Sequence, residues 1–239
     1  MSEISRDAAH WAKPVSTLHV EHVPDGAENL VEGKRLLGPV QGFGQMWQKT
    51  HRVRLEGLAL SPAEVMTTWK EHFPEFWPDG SDFYPSLTGI EPGEVALVKA
   101  AGPAGLKLST GVMVLYADDE SFTEMTPEGH MFAGWITFSA HDQDGVTVVQ
   151  AQVLMRAQDP LTELGLMLGG HRVENRFWEG TLANLATYLG VAEPAVETKV
   201  ICVDRKRQWS KFGNIRHSVA IRSMLHALRP RRPARHRAG

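Results

Sequence analysis

The sequence predicts an α+β domain in which a short helix and a run of antiparallel strands lead into one long C-terminal helix. Three patterns carry this. Five segments between residues 93 and 157 are rich in β-branched and aromatic residues and are separated by brief turn-forming clusters. Before them, "SPAEVMTTWKEHF" has the signals of a helix start. After them, positions 164, 168, 171, 175, 178, 182, 185 and 189 keep alternating steps of four and three, the spacing of one helix face.

Residues 1–45 scatter Pro and Gly without a sustained period and read as an extended arm. The regular pattern begins near Lys49, where "THRVRLEG" alternates Val53 and Leu55 with charged residues, as an edge or half-buried strand does. Ser61 as N-cap, Pro62 at the first helical position and Glu64 three residues after the serine make a capping box, and the helix ends before Pro74. "PEFWPDGSDFYP" reads as a break and turn. Strands follow over 93–100, 109–117, 120–126, 134–141 and 145–157, joined at "DD", "PEGH" and "DQDG" in the manner of hairpins. In "GWITFSAH", Trp135, Thr137, Ser139 and His141 share one face, and the apolar Ile136, Phe138 and Ala140 the other, the better claimant for the helix side. In the next strand Val148, Gln150, Gln152, Leu154 and Arg156 oppose Val149, Ala151, Val153 and Met155, and periodicity leaves open which set lines the interior. Tyr116 and Glu124 are expected at the surface. Asp159 and Pro160 open the long helix, and Gly190 ends it. The paired Gly169 and Gly170 inside it point to a kink or a close backbone approach. The domain boundaries follow: an arm over 1–45, the domain over 46–192, a C-terminal extension over 193–228 that packs on it, with a strand-like "KVICV" and an amphipathic helix in "NIRHSVAIRSMLHAL", and a disordered Arg-rich tail over 229–239.

Helix after a first strand, then an antiparallel meander, then a long C-terminal helix: over residues 49–190 this order resembles the helix-grip fold of the START/SRPBCC superfamily. The resemblance implies a curved sheet wrapped around the long helix, with an apolar cavity between them. It also implies two functional classes, binding of a hydrophobic small molecule (a lipid, isoprenoid or polyketide-like compound) and polyketide cyclase or dehydratase chemistry.

The helix stripe reads Leu, Leu, His, Asn, Trp, Leu, Leu, Leu, so His171 and Asn175 interrupt an apolar face one turn apart. Buried, each needs a partner or costs about 1–3 kcal/mol. They are therefore either a satisfied core network or polar groups turned to a ligand. On the second reading Leu168, His171, Asn175, Trp178 and Leu182 from the helix, with Tyr116, Trp135 and Gln152 from the sheet, form the ligand-binding set. His171 is also the candidate general acid or base of a catalytic reading, and convergence of His171, a carboxylate and Tyr116 would favour catalysis. A structural or interaction role without ligand is the remaining class. Neither metal nor cofactor is expected, because His130, His141 and His171 lack ligand spacing and the Gly-rich stretches lack a strand-to-helix context.

Composition bounds the rest. The chain has 239 residues, 42% of them hydrophobic, and contains no apolar run of membrane-spanning length and no signal-peptide layout at its start, so a cytoplasmic location is expected. Cys202 stands alone in "VICV", which excludes an internal disulfide. The net charge of −3 conceals an asymmetry: 11 of the 25 Lys and Arg lie from Arg205 onward, where there is no Asp or Glu. That basic end has three readings, docking on the acidic body, contact with anionic lipid or nucleic acid, or solubilising charge.

Overall fold

Eight strands pair antiparallel in one sheet: β1 (Met46–Arg54), β2 (Asp82–Tyr84), β3 (Val95–Ala101), β4 (Lys107–Ala117), β5 (Ser121–Met125), β6 (Phe132–Gln143), β7 (Val146–Ala157) and β8 (Val196–Asp204). The computed structural model describes residues 8–102 and 107–227. The strand order is β2-β3-β4-β5-β6-β7-β1-β8, a meander closed onto the first strand, with β8 added beyond it. Among the described residues four α-helices accompany the sheet: α1 (Pro62–Glu71), α2 (Pro160–Gly165), α3 (His171–Leu189) and α4 (Val219–Ala227). The result is the helix-grip arrangement, with α1 and α3 on the concave face of the curved sheet.

The local rules work where they are strongest. Ser61 accepts from the Glu64 backbone while the Glu64 carboxylate accepts from Ser61, so the expected capping box is complete. Asp159 accepts from the Leu161 and Thr162 amides and starts α2. Asp144 and Gly145, both at positive φ, form the two-residue turn between β6 and β7 that suits a right-twisted hairpin. "DFY" inside the expected break is instead the short edge strand β2, paired with β3.

The concave face carries the main core. Ile136, Phe138 and Ala140 face it as expected, and Val149, Ala151, Val153 and Met155 are the β7 set that joins them. Phe122 stacks on Phe138 at 4.6 Å, Phe73 meets both rings edge-on at 5.3 and 5.1 Å, and Trp69 of α1 meets Phe138 at 5.2 Å. Aromatic rings in mutual contact thus occupy the middle of the interior.

The outer face has its own cover. Leu18 and Val31 of the N-terminal arm pack on Leu97 and Met113, forming a second, smaller core. The C-terminal segment returns over the same face: Ser223 of α4 accepts from the Ser109 amide at 3.1 Å, and Arg222 donates to the Leu30 carbonyl. The expected amphipathic helix over 214–228 is split in the structure, a 3-10 segment over Trp209–His217 followed by α4. The extension after residue 192 contributes β8 to the one sheet, pairing with β1 from Met46 to Val53. The tail over 229–239 lies outside the described residues.

The long C-terminal helix is not continuous. Between α2 and α3 stands a π-helical turn, Leu166–Gly170, in which Gly169 takes φ +115°. That turn rotates the stripe: Leu164 and Leu168 are exposed, whereas Leu182 and Leu185 further along are fully buried. The helical face read from the sequence is therefore valid from His171 onward and reversed before it. Gly169→Ala is expected to lower stability by about 1–2 kcal/mol, because a Cβ is disfavoured in that backbone region although nothing lies near it. Gly165→Ala, at φ −59° and equally open, is expected to be neutral or to stabilise by up to about 1 kcal/mol. Urea unfolding of the two variants checks the pair.

Candidate functional site

Alternation along β1 turns Trp47, Lys49, His51 and Val53 toward the helix, since their β7 partners Met155, Val153, Ala151 and Val149 belong to the concave core. Three polar or amphipathic side chains thus stand at every second position of one strand, directly beneath α3. The alternation expected from Val53 and Leu55 extends two pairs further back than the sequence reading took it.

Lys49 is fully buried. Its ammonium donates to the Glu174 carboxylate, to Asn175 Oδ1 at 2.7 Å and to the His171 carbonyl at 3.3 Å. An ammonium has three donors, and all three are used. Asn175, an oddity in the helix stripe, is therefore one of the acceptors that make a buried cation tolerable. His171 contributes its carbonyl to the same cation, while its ring packs edge-on against Trp47 at 4.6 Å. Burial and the nearby Lys49 charge push the His171 imidazole down to about 4, so it is neutral near pH 7. Burial pushes the Glu174 carboxyl upward, and Lys49 opposes that shift.

One turn further, His51 Nδ1 lies 3.0 Å from Thr198 Oγ1 of β8, and that hydroxyl donates to Glu179 Oε1 at 2.7 Å. With the threonine proton engaged by the carboxylate, its oxygen is left to accept, so His51 carries its proton on Nδ1 and its lone pair on Nε2. Burial, then Lys49, depresses His51 to about 4. Four buried polar atoms of this seam make no hydrogen bond of good geometry: Trp47 Nε1, His51 Nε2, His171 Nδ1 and Glu174 Oε1, although the Trp178 side chain is near enough to the Glu174 carboxylate to favour its charged form.

Glu124 is a further interior group. It was expected at the surface, yet it is 2% exposed, because it shares the β5 face of Phe122. It belongs to the row Lys49, Val153, Ile136, Glu124 across β1, β7, β6 and β5, so its backbone is three strand spacings, about 14 Å, from that of Lys49. Burial pushes its carboxyl up to about 8, and Oε1 is unpartnered.

The residues expected to bind ligand are thus divided. His171, Asn175, Trp178 and Leu182 are on the sheet-facing side of α3, with Trp178 against Phe138 at 5.5 Å. Leu168 is 79% exposed on the π-helical turn. Tyr116, Trp135 and Gln152 lie on the outer face: Tyr116 packs on Trp11 of the arm at 4.8 Å, Trp135 is close to Gly38, and Gln152 donates to Thr50 at 3.3 Å. His171 and Tyr116 are therefore on opposite sides of the sheet, and the convergence that would mark a catalytic centre around them is not formed. Lys49, His51 and Trp47 were not singled out from the sequence, and their period-two spacing ahead of Val53 is the signal that marks them. A pocket of about 260 Å³ also lies on the outer face, where Leu18, Val95 and Met113 meet His19, His22 and Glu94. No three metal-ligating side chains come together among the described residues, and none of their helices is long and apolar enough to cross a membrane.

No family model and no curated protein sequence matches the chain. Solved structures similar in chain path include the di-domain ARO/CYC StfQ of the steffimycin biosynthetic pathway, with 11% identity, a TM-score of 0.47 and 61% of this chain covered. The match spans about half, 51%, of that longer chain. Ara h 8.0201 matches with 12% identity and a TM-score of 0.44 over 60% of this chain and 97% of its own. Major latex-like protein 151 from Panax ginseng matches with 12% identity and a TM-score of 0.43 over 62% of this chain and all of its own. Likeness at this level says nothing about ligand or reaction.

Two outcomes test the site. Lys49→Met removes the cation and strands the Glu174 carboxylate, so stability should fall by about 3–5 kcal/mol, and adding Glu174→Met should recover most of that loss. Denaturant titrations of the single and double variants measure it. For Glu124, a folded-state value near 8 against an ordinary 4.5 means that the folded protein holds a proton the unfolded chain releases. Its contribution is full below about pH 4.5 and is lost as pH rises toward about 8. Unfolding at acidic and mildly alkaline pH should show wild type weakening over that window and Glu124→Gln weakening less.

Proposed function

We propose that the chain binds a hydrophobic small molecule, a lipid, isoprenoid or polyketide-like compound, at the seam between β1 and α3. The observation that supports it is that Trp47 Nε1, His51 Nε2, His171 Nδ1 and Glu174 Oε1, four buried polar atoms without hydrogen bonds, line the β1–α3 edge of the interior. Buried polar groups are nearly always partnered, and each left open costs about 1–3 kcal/mol. An oxygen function at one end of an apolar molecule suits the Trp47–His171 pair, whose rings are 4.6 Å apart: the indole N–H donates to it and the imidazole lone pair accepts from it, while His51, about 13 Å from Trp47 along β1, serves a second polar group. The aromatic centre around Phe122 and Phe138 is packed, so the ligand's polar end belongs at the seam rather than deep in the sheet.

Binding is favoured over cyclase or dehydratase chemistry because His171 and Tyr116 lie on opposite faces. Lys49, with every donor satisfied, is an anchor rather than a free nucleophile.

Native mass spectrometry and solvent extraction of protein purified from its own host are expected to release an apolar molecule bearing a hydroxyl or carboxyl group. Recovery of none, with no displaceable uptake of the apolar fluorophore anilinonaphthalene sulfonate, overturns the reading. His171→Phe is expected to keep the fold, since a ring still packs on Trp47, and to weaken fluorophore or ligand binding by about 1–3 kcal/mol. Unchanged binding with a lower melting point would instead make His171 a structural ring.

A further inference from the structure

The turn that ejects Leu168 from the core creates a surface that the ligand reading does not use. Leu164, Met167 and Leu168 project around the π-helical turn, Val173 follows on α3, and all four are exposed, Met167 at 63%. Beside them stand Trp209, 69% exposed, and Phe212. These two rings stack nearly parallel at 6.4 Å and rest their edges on the buried Phe43 at 5.3 and 6.2 Å. Arg207 joins the two halves: its Nε donates to Glu163 at 2.7 Å, and its guanidinium reaches the Met167 sulfur at 3.3 Å.

The charge around this apolar surface has one sign. The acidic groups of the region are paired: the buried Glu163 with Arg207 and Glu174 with Lys49, and the partly exposed Asp204 with Arg156. Arg172, Arg176, Arg205, Lys206 and Lys211 have no ion-pair partner among the described residues. Exposed Leu, Met, Trp and Phe ringed by unpaired cations match a bilayer surface, whose acyl boundary takes the apolar groups and whose anionic headgroups take the charge. A second copy fits less well, since a two-fold pairing would set these cations against their own kind. Nucleic acid has no use for the aliphatic cluster.

We propose that the π-helical turn and the 205–212 segment together form a docking face for membranes containing anionic lipid. The face is independent of whether the seam holds a ligand. It lies at the N-terminal end of α3, beside His171, and so would bring the seam close to the bilayer.

Co-sedimentation of the full chain with phosphatidylcholine vesicles containing about one-quarter phosphatidylserine tests it. Wild type is expected to pellet with these vesicles, to bind pure phosphatidylcholine far more weakly, and to be released at high salt. Leu164→Asp/Leu168→Asp and Arg172→Glu/Arg176→Glu should each reduce binding by about tenfold or more, with thermal melts like wild type because these side chains are exposed. Absence of vesicle binding by wild type overturns the proposal. So does unchanged binding by both folded variants, which would assign the interaction to the Arg-rich terminus. A dimer in light scattering that the leucine variant dissolves, without vesicle binding, makes the face a contact between copies and also overturns it.

Discussion

A single buried ammonium decides how this molecule is put together. Lys49 projects from β1 into the interior, where an uncompensated charge would cost far more than the fold can supply. It is tolerable only because α3 brings Glu174, Asn175 and the His171 carbonyl to it at the same time. The position and rotation of α3 on the sheet are thereby tied to one strand. A helix shifted by one residue along its axis would leave only one of the two side-chain acceptors beside the ammonium, with Val173 or Arg176 in the place of the other.

The kink before α3 belongs to the same constraint. If the helix ran straight from Pro160, the stripe would carry Leu164 and Leu168 against the sheet. The π-helical turn, with Gly169 in a conformation that other residues resist, breaks that continuity and lets α3 start afresh at His171. The cost is an exposed aliphatic cluster, and that cluster is the core of the proposed membrane face. Interior anchoring and outer adhesiveness are thus two consequences of one break in a helix.

The two faces of the sheet divide the chemistry. On the concave side, buried ionisable groups are either paired, as Lys49 with Glu174 is, or held in the neutral state by burial, as His51 and Glu124 are. On the outer side, the arm and α4 cover β3 and β4, and Arg156 links the Gly44 carbonyl, Asp204 and the Lys206 carbonyl. The N-terminal arm and the C-terminal extension are therefore both stitched to the outer face by hydrogen bonds. The polar seam on the other face keeps four atoms open.

By itself the sequence determined the order of the main elements, apart from the short edge strand β2 and the π-helical break, together with the helix caps at Ser61 and Asp159, the Asp144-Gly145 turn and the apolar set Ile136, Phe138 and Ala140 that faces the helix. Each is written in spacing and local chemistry over a few residues, where steric and capping rules act directly. It also marked His171 and Asn175 as anomalous in an apolar stripe, and left open whether they served a network or a ligand. Only the tertiary structure supplied the partner, because Lys49 lies 122 residues before His171 and a charge on a strand next to Val53 reads as an edge. Likewise Tyr116, Trp135 and Gln152 were included in the ligand-binding set while the face lining the interior was left open: for a strand such as β7, apolar on both sides, alternation says which residues share a side and not which side meets the helix. That is fixed by packing, where Val153 and Ala151 fit beneath α3 and Thr50 and Gln152 bond on the other side.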